Sequence, residues 1–209
     1  MFICYTNINS AICRKYILSE NFLEILMIKS IIILIIILNI FYKMKQTIKV
    51  KVLTEGCEPL VNEKGDWFDL RAAEDVSSSG GQLTSTQDIS FHSTYMPLGI
   101  AMKLPKGMEA ISAPRSSSHK KFGILQTNSI GVIDNTYCGP NDQWYMPALM
   151  VSDCEIHKGD RICQFRIQLS QKATLWQKIK WLFSNGVKIE IVDDLEDADR
   201  GGLGSSGTK

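Results

Sequence analysis

The chain has 209 residues, with 23 Lys and Arg against 22 Asp and Glu, and a formal net charge of +1. Hydrophobic residues make up 44% and charged residues 22%, which excludes a wholly disordered or collagen-like chain. A near-neutral chain lacks the polybasic surface that binds nucleic acid through release of counterions, so no nucleic-acid partner is expected.

An isoleucine-rich segment occupies residues 1–43. Its apolar run at 26–42 is borderline in length, because a helix needs about 20 such residues to cross a bilayer. In one interpretation the run anchors the chain, and the lysines that follow keep the rest on the cytoplasmic side. In the other, which we favour, translation starts at Met44 and the segment is not made. We expect residues 44–192 to form one domain and 193–209 a C-terminal arm.

The cysteines show neither a Cys-x-x-Cys motif nor any pairing with the three histidines, so a structural zinc site is not expected. Scattered cysteines in a domain of this size favour a reducing compartment, and we expect a cytoplasmic protein, tethered to the membrane only if 26–42 is an anchor. The cysteines are Cys4, Cys13, Cys57, Cys138, Cys154 and Cys163.

Short apolar runs bounded by Gly, Pro, Asn or Asp recur after residue 47 and predict many short strands, which is typical of an all-β barrel or jelly roll. The predicted strands are 48–52, 98–104, 110–113, 123–126, 131–133, 145–151, 161–169 and 187–191. The polar stretch at 77–81 is predicted to be a loop.

One segment, 175–183, has the periodicity of an amphipathic helix. Packing of this helix on the β domain is the favoured interpretation, and binding of a partner or a membrane is the alternative. The apolar positions are Leu175, Trp176, Ile179, Leu182 and Phe183. The arm at 193–209 is acidic and then glycine-rich, and its composition alone predicts a disordered terminus.

Two segments carry groups suited to nucleotide chemistry. Arg115 precedes Ser116 and Ser117, and a guanidinium beside hydroxyls matches a phosphate, although these residues alone are more typical of a solvated loop. Asp134 follows a predicted strand, with Tyr137 three residues later. A strand-end Asp can deprotonate a water molecule, although most such residues simply begin turns.

Two further segments are weaker candidates. In the turn at 159–164, Asp160 and Arg161 are predicted to form a structural ion pair, and Gln164 offers a donor and an acceptor to a phosphate or a water molecule. In the arm, Arg200 precedes flexible glycines whose backbone N–H groups can close over an anion.

In this order and spacing, the segments resemble the five motifs of the trimeric dUTP pyrophosphatases (deoxyuridine triphosphate nucleotidohydrolases). The insertion at 141–145 and the helix around Trp176 resemble the variant of Gram-positive bacteria of the clostridial type. The resemblance implies a jelly-roll-like β-barrel of the β-clip type with one short helix, in a homotrimer with three shared active sites. The matching segments are 69–73, 114–123, 131–139, 159–164 and 200–207.

The resemblance also implies an activity and residue roles. The enzyme would hydrolyse dUTP to dUMP and pyrophosphate, which keeps uracil out of DNA and supplies dUMP for thymidylate synthesis. Asp134 would activate the water that attacks the α-phosphorus, with Gln164 near the phosphate or water, and Mg²⁺ would ride on the triphosphate, with Asp69 touching it only through water. The implied substrate-binding residues are Arg115, Ser116, Ser117, Asn128, Ile133, Tyr137, Arg200, Leu203, Gly204 and Ser205.

One position departs from the family pattern. Leu203 stands where the family usually carries an aromatic residue over the uracil, and a leucine lacks the π-face for stacking, so we expect weaker closure of the arm. Two alternatives stay open: a dCTP deaminase of the same fold, and a regulatory module that uses dUTP as a switch. The Asp134 segment favours the pyrophosphatase over both.

Overall fold

The computed structural model describes residues 22, 24–39, 45–61, 65–78, 82–83, 89–90 and 92–202. A helix at 24–39, α1, is exposed throughout and belongs to a compact unit separate from the β-rich domain. No helix in these ranges is long and apolar enough to span a membrane. Positions 40–42 of the apolar run, and Met44, lie outside the described residues.

The β-rich domain opens with β1, whose sequence alternates between apolar and polar side chains. Ile48 and Val50 are fully buried, whereas Lys49 and Lys51 between them are partly exposed, as expected for a strand with one face on a core. The strands are β1 (Gln46–Val52), β2 (Leu60–Val61), β3 (Phe68–Arg71), β4 (Val76–Ser78), β5 (Gln82–Leu83), β6 (Ile89–Ser90), β7 (His92–Lys103), β8 (Met108–Pro114), β9 (Ile124–Gln126), β10 (Gly131–Asp134), β11 (Gln143–Met150), β12 (Cys154–Ile156), β13 (Arg161–Leu169) and β14 (Val187–Ile191).

Ten of these strands form two five-stranded sheets, in the orders β14-β1-β7-β11-β9 and β10-β8-β13-β3-β2. The pairings are antiparallel except for β1 with β14, which run parallel from Gln46 opposite Val187 to Val50 opposite Ile191. Two small sheets, β4 with β12 and β5 with β6, complete the described pairing.

Both large sheets contribute to one hydrophobic core. Trp144 from β11 meets Phe165 from β13 edge-on, with ring centroids 5.3 Å apart, and Phe68 from β3 lies 5.2 Å from the same Phe165 ring. Burial of one such ring stabilises a fold by about 1.5–3 kcal/mol. The predicted all-β class is confirmed, but the described strands form two open sheets over a shared core and not one closed barrel.

The predicted strands are all present, two of them with the predicted bounds and the others with shifted ends. The larger differences lie where side-chain periodicity carries little information. Ser77 and Ser78 were predicted in a loop but pair with β12 as part of β4, and 79–81 lie outside the described residues. A second helix, α2 (Ser118–Phe122), has only five residues and was not predicted, because it is too short to show a helical period.

The predicted amphipathic helix is present as α3 (Leu175–Leu182). It begins with a capping box in which Thr174 N–H donates to Gln177 Oε1 at 2.7 Å and Gln177 N–H donates to Thr174 Oγ1 at 3.3 Å. Leu175, Trp176 and Leu182 are 74%, 66% and 75% exposed, so the favoured interpretation that this stripe packs on the β domain is wrong for these three residues. Trp181 packs against the core instead.

The described part of the C-terminal arm, 193–202, contacts the β-rich domain, although composition alone suggests a disordered terminus. Leu195 is fully buried, and Lys103 at the end of β7 donates to the Leu195 carbonyl at 3.4 Å and pairs with Asp197. One apolar side chain and one ion pair therefore bring the arm back over the first sheet, towards the end of β10.

Candidate active site

A cavity of about 420 Å³ opens between the end of β10, the start of β11 and the arm. Five of the residues predicted from the sequence line it together. They are Asn128, Ile133, Asp134, Tyr137 and Arg200. The structure therefore brings together residues from two of the matching segments, 131–139 and 200–207, and Asn128, which precedes the first of them, over 72 positions of sequence.

Asp134 is the last residue of β10 and is placed by the pairing of that strand with β8, where it lies opposite Glu109. Its side chain is 58% exposed, and its Oδ2 accepts a hydrogen bond from Arg200 Nη1 at 3.2 Å. Because the strand ends here, the carboxylate projects beyond the sheet. It can take a proton from a water molecule once Arg200 turns to another anion.

Tyr137 forms one wall of the cavity in the turn after β10. Its hydroxyl donates to the Gln143 carbonyl at 2.8 Å, and burial raises the pKa of this phenol, with a further contribution from the charge of Asp142. A Cβ on Gly202 would come within 2.8 Å of the Tyr137 hydroxyl. A glycine is therefore required where the arm crosses the ring.

Asn128 lies in a tight turn between β9 and β10. Ser129 has a left-handed backbone, with φ +57°, and Ile130 N–H closes the turn on the Asn128 carbonyl at 2.5 Å. Gln126, which is buried, donates from Nε2 to Asn128 Oδ1 at 2.8 Å. Since Oδ1 is engaged, Nδ2 is the atom left to donate to a ligand.

A second group of predicted residues lies just after β8. Arg115 Nε donates to Asp69 Oδ1 at 2.9 Å, and Arg161 Nη1 donates to Asp69 Oδ2 at 3.0 Å. The predicted ion pair of Asp160 with Arg161 is therefore wrong, because Arg161 reaches the buried Asp69 and Asp160 pairs with Lys121 at 3.3 Å.

Asp69 is only 2% exposed, and both of its oxygens accept hydrogen bonds from guanidinium groups. Its observed contacts fix the position of Arg115, and its contact with a metal through water stays a prediction. Among the described residues, no three His, Cys, Asp or Glu side chains converge on a point where they could hold a metal ion.

Ser116 and Ser117 are exposed in the turn that leads into α2, and Ser117 is its N-cap residue. The next residue, Ser118, is fully buried, accepts from Arg115 N–H at 3.1 Å and donates to the Ile162 carbonyl at 2.6 Å. Gln164 on β13 donates to the Pro114 carbonyl at 3.3 Å. These contacts hold the turn against β13.

The two groups are separated by the length of β8. Asp134 is opposite Glu109 near the start of that strand, whereas Arg115 follows its last residue, Pro114. Six residues of extended chain span roughly 20 Å. None of Arg115, Ser116, Ser117 or Gln164 lines the cavity at Asp134. One copy of the chain therefore does not bring all the predicted residues around a single phosphorus atom.

The insertion at 141–145 contains a buried carboxylate beside the cavity that the sequence interpretation did not single out. Asp142 is 2% exposed, and its carboxylate accepts hydrogen bonds from the N–H groups of Gly139 at 2.8 Å, Arg200 at 2.9 Å and Gly201 at 3.0 Å. Its only sequence signal is its place in an insertion beside a motif. The predicted residues Leu203, Gly204 and Ser205 lie outside the described residues.

Asn141 makes a matching pair of contacts with the arm. Its N–H donates to Asp199 Oδ1 and its Nδ2 to Asp199 Oδ2, both at 2.8 Å. Hydrogen bonds from the Asn141 side chain and backbone lower the pKa of the Asp199 carboxyl. The turn at 141–142 thus holds residues 199–201 of the arm beside the cavity.

Comparison with known proteins agrees with this geometry. The dUTPase family model matches residues 68–208. The chain is 46% identical over 164 residues to the SPbeta prophage-derived deoxyuridine 5'-triphosphate nucleotidohydrolase YosS of Bacillus subtilis, covering 78% of this chain and 99% of that protein. It is 31% identical over 170 residues to the deoxyuridine 5'-triphosphate nucleotidohydrolase of Neorickettsia sennetsu, covering 79% and 100%.

Among solved structures, the dUTPase of Streptococcus mutans matches with a TM-score of 0.50 at 21% identity, over 60% of this chain and 98% of that one. At this identity the match supports the all-β fold alone. The family model and the 46% identical relative, which is aligned over nearly all of its length, carry the assignment. The chain belongs to the dUTPase family.

Proposed function

We propose that the protein hydrolyses dUTP to dUMP and pyrophosphate, with Asp134 as general base. One observation carries the proposal: an exposed strand-end carboxylate lies 3.2 Å from the Arg200 guanidinium, in a cavity that Asn128 and Tyr137 also line. The cavity thus combines a base for water, a cation for phosphate and a planar wall for a sugar. Membership of the dUTPase family supports the same substrate.

The reaction follows from charge and position. Asp134 takes a proton from a water molecule as that water attacks the α-phosphorus, and pyrophosphate leaves. When substrate binds, the Arg200 guanidinium leaves Asp134 and pairs with a phosphate oxygen. This frees the Asp134 carboxylate to act as general base, and it neutralises part of the negative charge of the phosphates. Arg115, Ser116 and Ser117 supply further donors to the phosphates, and Gln164 orients the phosphate or the water.

Mg²⁺ would be bound by the substrate triphosphate and by Asp69 through water only, and it would offset negative charge on the phosphate oxygens. Magnesium is usually held by one or two carboxylates together with substrate phosphates, and does not need a cage made by the protein alone. A chain in which the described carboxylates form no cluster fits an ion carried in this way.

The uracil and the deoxyribose are proposed to bind in the part of the cavity that Asn128, Ile133 and Tyr137 line. Asn128 Nδ2 donates to a uracil carbonyl, Ile133 provides an apolar contact, and the Tyr137 ring packs on the deoxyribose and leaves no room for a 2′-hydroxyl. A site that is built around such hydrogen bonds rejects a base with the opposite donor pattern strongly, because its own groups would be left unpaired.

We also propose a homotrimer with three shared active sites. The separation of roughly 20 Å along β8 between Asp134 and Arg115 supports this, because a second copy must supply Arg115 to the first copy's Asp134. Closed rotational symmetry then repeats the shared site for every copy of the chain.

The test is pyrophosphate release from dUTP, dCTP and dTTP by the wild type and by Asp134→Asn. We expect dUTP to be the preferred substrate, and Asp134→Asn to lower kcat by about 10²- to 10⁴-fold, the usual contribution of a positioned general base. The matched control is Asp66→Asn, the same change at an exposed residue, which should keep wild-type activity.

Two outcomes would contradict the proposal. If Asp134→Asn turned dUTP over at the wild-type rate, Asp134 would not be the base. If dCTP released ammonia and dUTP released no pyrophosphate, the protein would be a deaminase.

A further inference from the structure

We propose that α3 binds the surface of an anionic lipid bilayer through the apolar side that it turns away from the β-rich domain. This surface lies outside the cavity at Asp134, because none of Leu175, Trp176 and Leu182 lines that cavity. The proposal therefore goes beyond the proposed function and does not depend on it.

The orientation of α3 is the reverse of that expected for a helix packed on a domain. Leu175 and Leu182 are two turns apart on the same side of the helix, with Trp176 beside them, and all three side chains are mostly exposed. Trp181, on the opposite side, packs against the core. An amphipathic helix in a globular protein normally turns its apolar stripe inwards, so here a large apolar surface faces outwards.

The charges around this apolar side are of one sign. The sequence at 161–189 has six Lys and Arg and no Asp or Glu, in a chain whose formal net charge is only +1. With about 100° of rotation per residue, Lys178 and Lys180 lie on the two flanks of the apolar side, and both are exposed. Lys188 pairs with Glu190 at 3.3 Å and is therefore not counted as available to a ligand.

An apolar side with a lysine on each flank is typical of a helix that lies in the surface of a bilayer. Leucine and tryptophan side chains enter the boundary between head groups and acyl chains, while the flanking lysines reach anionic head groups. Tryptophan favours this boundary, because its ring is apolar and its N–H group stays close to water. The chemistry of α3 is therefore complementary to an anionic lipid surface.

The length of α3 decides how it would bind. Its eight residues span about 12 Å, whereas the hydrocarbon core of a bilayer is about 30 Å thick, so α3 lies on the bilayer and does not cross it. A second copy of this chain fits the same surface less well. It would bring its own Lys178 and Lys180 to the contact, where like charges repel.

The first test is quenching of tryptophan fluorescence in the full chain by lipids that carry bromine on their acyl chains. Residues 1–43 contain no Trp, so quenching that disappears in Trp176→Phe reports α3 and not the N-terminal segment. Vesicles of phosphatidylcholine with about 30% phosphatidylserine should quench Trp176, and binding to phosphatidylcholine alone should be at least about tenfold weaker.

The second test removes the two flanking charges. Lys178→Gln combined with Lys180→Gln should weaken binding to the phosphatidylserine vesicles about thirtyfold, roughly fivefold for each lysine. The matched control is Lys120→Gln combined with Lys158→Gln, because both residues are exposed and lie outside 161–189. This control should bind as the wild type does.

The third test removes the apolar contact. Leu175→Ser combined with Leu182→Ser should lower the affinity for the same vesicles by more than about tenfold, because both side chains would leave the lipid boundary. Leu125→Ser, the same change at an exposed leucine on β9, should leave the affinity unchanged. Thermal unfolding followed by circular dichroism verifies that each variant is folded, and the substituted lysines and leucines are exposed enough that it should be.

Three outcomes would overturn the proposal. One is the absence of Trp176 quenching by anionic vesicles, even if the full chain bound them through another segment. Another is equal binding by the wild type and by the variant without Lys178 and Lys180, since the anionic head groups would then have no role. The third is a shift of Trp176 emission with rising protein concentration and no quenching by vesicles, which would assign this surface to a second copy of the chain.

Discussion

The side-chain amide of Asn128 is fixed in one orientation by Gln126. The Ser112 carbonyl can only accept, and Gln126 Nε2 lies 3.4 Å from it, so the amino end of the Gln126 amide must face this way. The same Nε2 donates to Asn128 Oδ1 at 2.8 Å, which leaves Asn128 to donate from Nδ2. A donor suits a carbonyl of uracil and opposes the amino group of cytosine.

We therefore expect Gln126→Leu to weaken discrimination between bases. Without Gln126 the Asn128 amide can turn and offer its oxygen to cytosine, so the ratio of kcat/KM for dUTP to that for dCTP should fall about fivefold, the equivalent of one net hydrogen bond of ~1 kcal/mol. The measurement is pyrophosphate release from both nucleotides under identical conditions.

Gln46→Leu is the matched control, because Gln46 is another buried glutamine but lies on β1 and does not line the cavity. In Gln46→Leu the ratio of kcat/KM for dUTP to that for dCTP should stay at the wild-type value. An unchanged ratio in Gln126→Leu would mean that the Asn128 amide is oriented by something else. The variant should remain folded, since Gln126 Oε1 is buried without a partner among the described residues and leucine removes that orphaned acceptor.

Residues within a motif were predictable, and residues that act across motifs were not. Asp134 and Tyr137 could be recognised because both lie in one short segment with a characteristic order. Asp142 acts on Arg200 and Gly201, which are 58 and 59 positions away, so no local pattern reveals its role. Gln126 was missed because its role depends on Ser112 in another strand.

The arm at 193–202 is an element whose order depends on charge. Because Asn141 lowers the pKa of Asp199 from its usual 3.8, the ionised carboxylate favours the docked arm. This contribution is fully present above the usual pKa and is lost as the pH falls through the lowered one. The arm should therefore stay docked at neutral and mildly acidic pH, and begin to loosen only below the usual range of an aspartate.

The measurement is hydrogen exchange at the Asn141 backbone amide, which donates to Asp199, followed by NMR from pH 7 into the strongly acidic range. The protection of the Asn141 amide against exchange should fall only at the most acidic pH values of this range. In Asp199→Asn the fall should be smaller, because this side chain no longer titrates. A loss of protection already near neutral pH in the wild type would contradict this assignment.

Elements with a clear side-chain period were predicted well. The alternation in β1 and β14 and the helical spacing in α3 gave nearly correct bounds. Composition alone is misleading for the described part of the arm, 193–202, because its contacts depend on a single buried side chain, Leu195, and on polar contacts to distant segments. Composition averages over such contacts, so an acidic, glycine-rich segment is predicted to be disordered whether or not it docks.

At the scale of the whole molecule, strand β8 separates the proposed general base, Asp134, from Arg115, a proposed phosphate-binding residue. Asp134 lies opposite the start of this strand and Arg115 follows its end, so the proposed site takes residues from two copies. The spacing of strands and turns predicted the all-β class. It left a closed barrel and a two-sheet jelly roll both open, since pairing between strands distant in the sequence leaves no periodic trace.

Mixing two inactive variants tests the shared site. Asp134→Asn and Arg115→Gln should each be nearly inactive alone. Refolded together in equal amounts, they should assemble sites with an intact Asp134 from one copy and an intact Arg115 from another in about one quarter of cases, by random assortment. Activity of the mixture is compared with that of each variant, after the mass of three copies has been verified by analytical ultracentrifugation.

Asp134→Asn refolded with itself is the control and should stay inactive. A mixture no more active than its two components would indicate that each copy builds its site alone, or that Arg115 is not needed. The wild type refolded by the same procedure measures the recovery of native protein.

The parallel pairing of β1 with β14 has a consequence for how the protein is made. β1 begins at Gln46 and its partner, Val187–Ile191, lies about 140 residues later in the chain. The first sheet is therefore incomplete until this distant strand has been synthesised, and contacts of such long sequence separation slow folding. Asp199, Arg200 and Gly201 come after β14 in the chain, so they are synthesised only after the strand that completes this sheet.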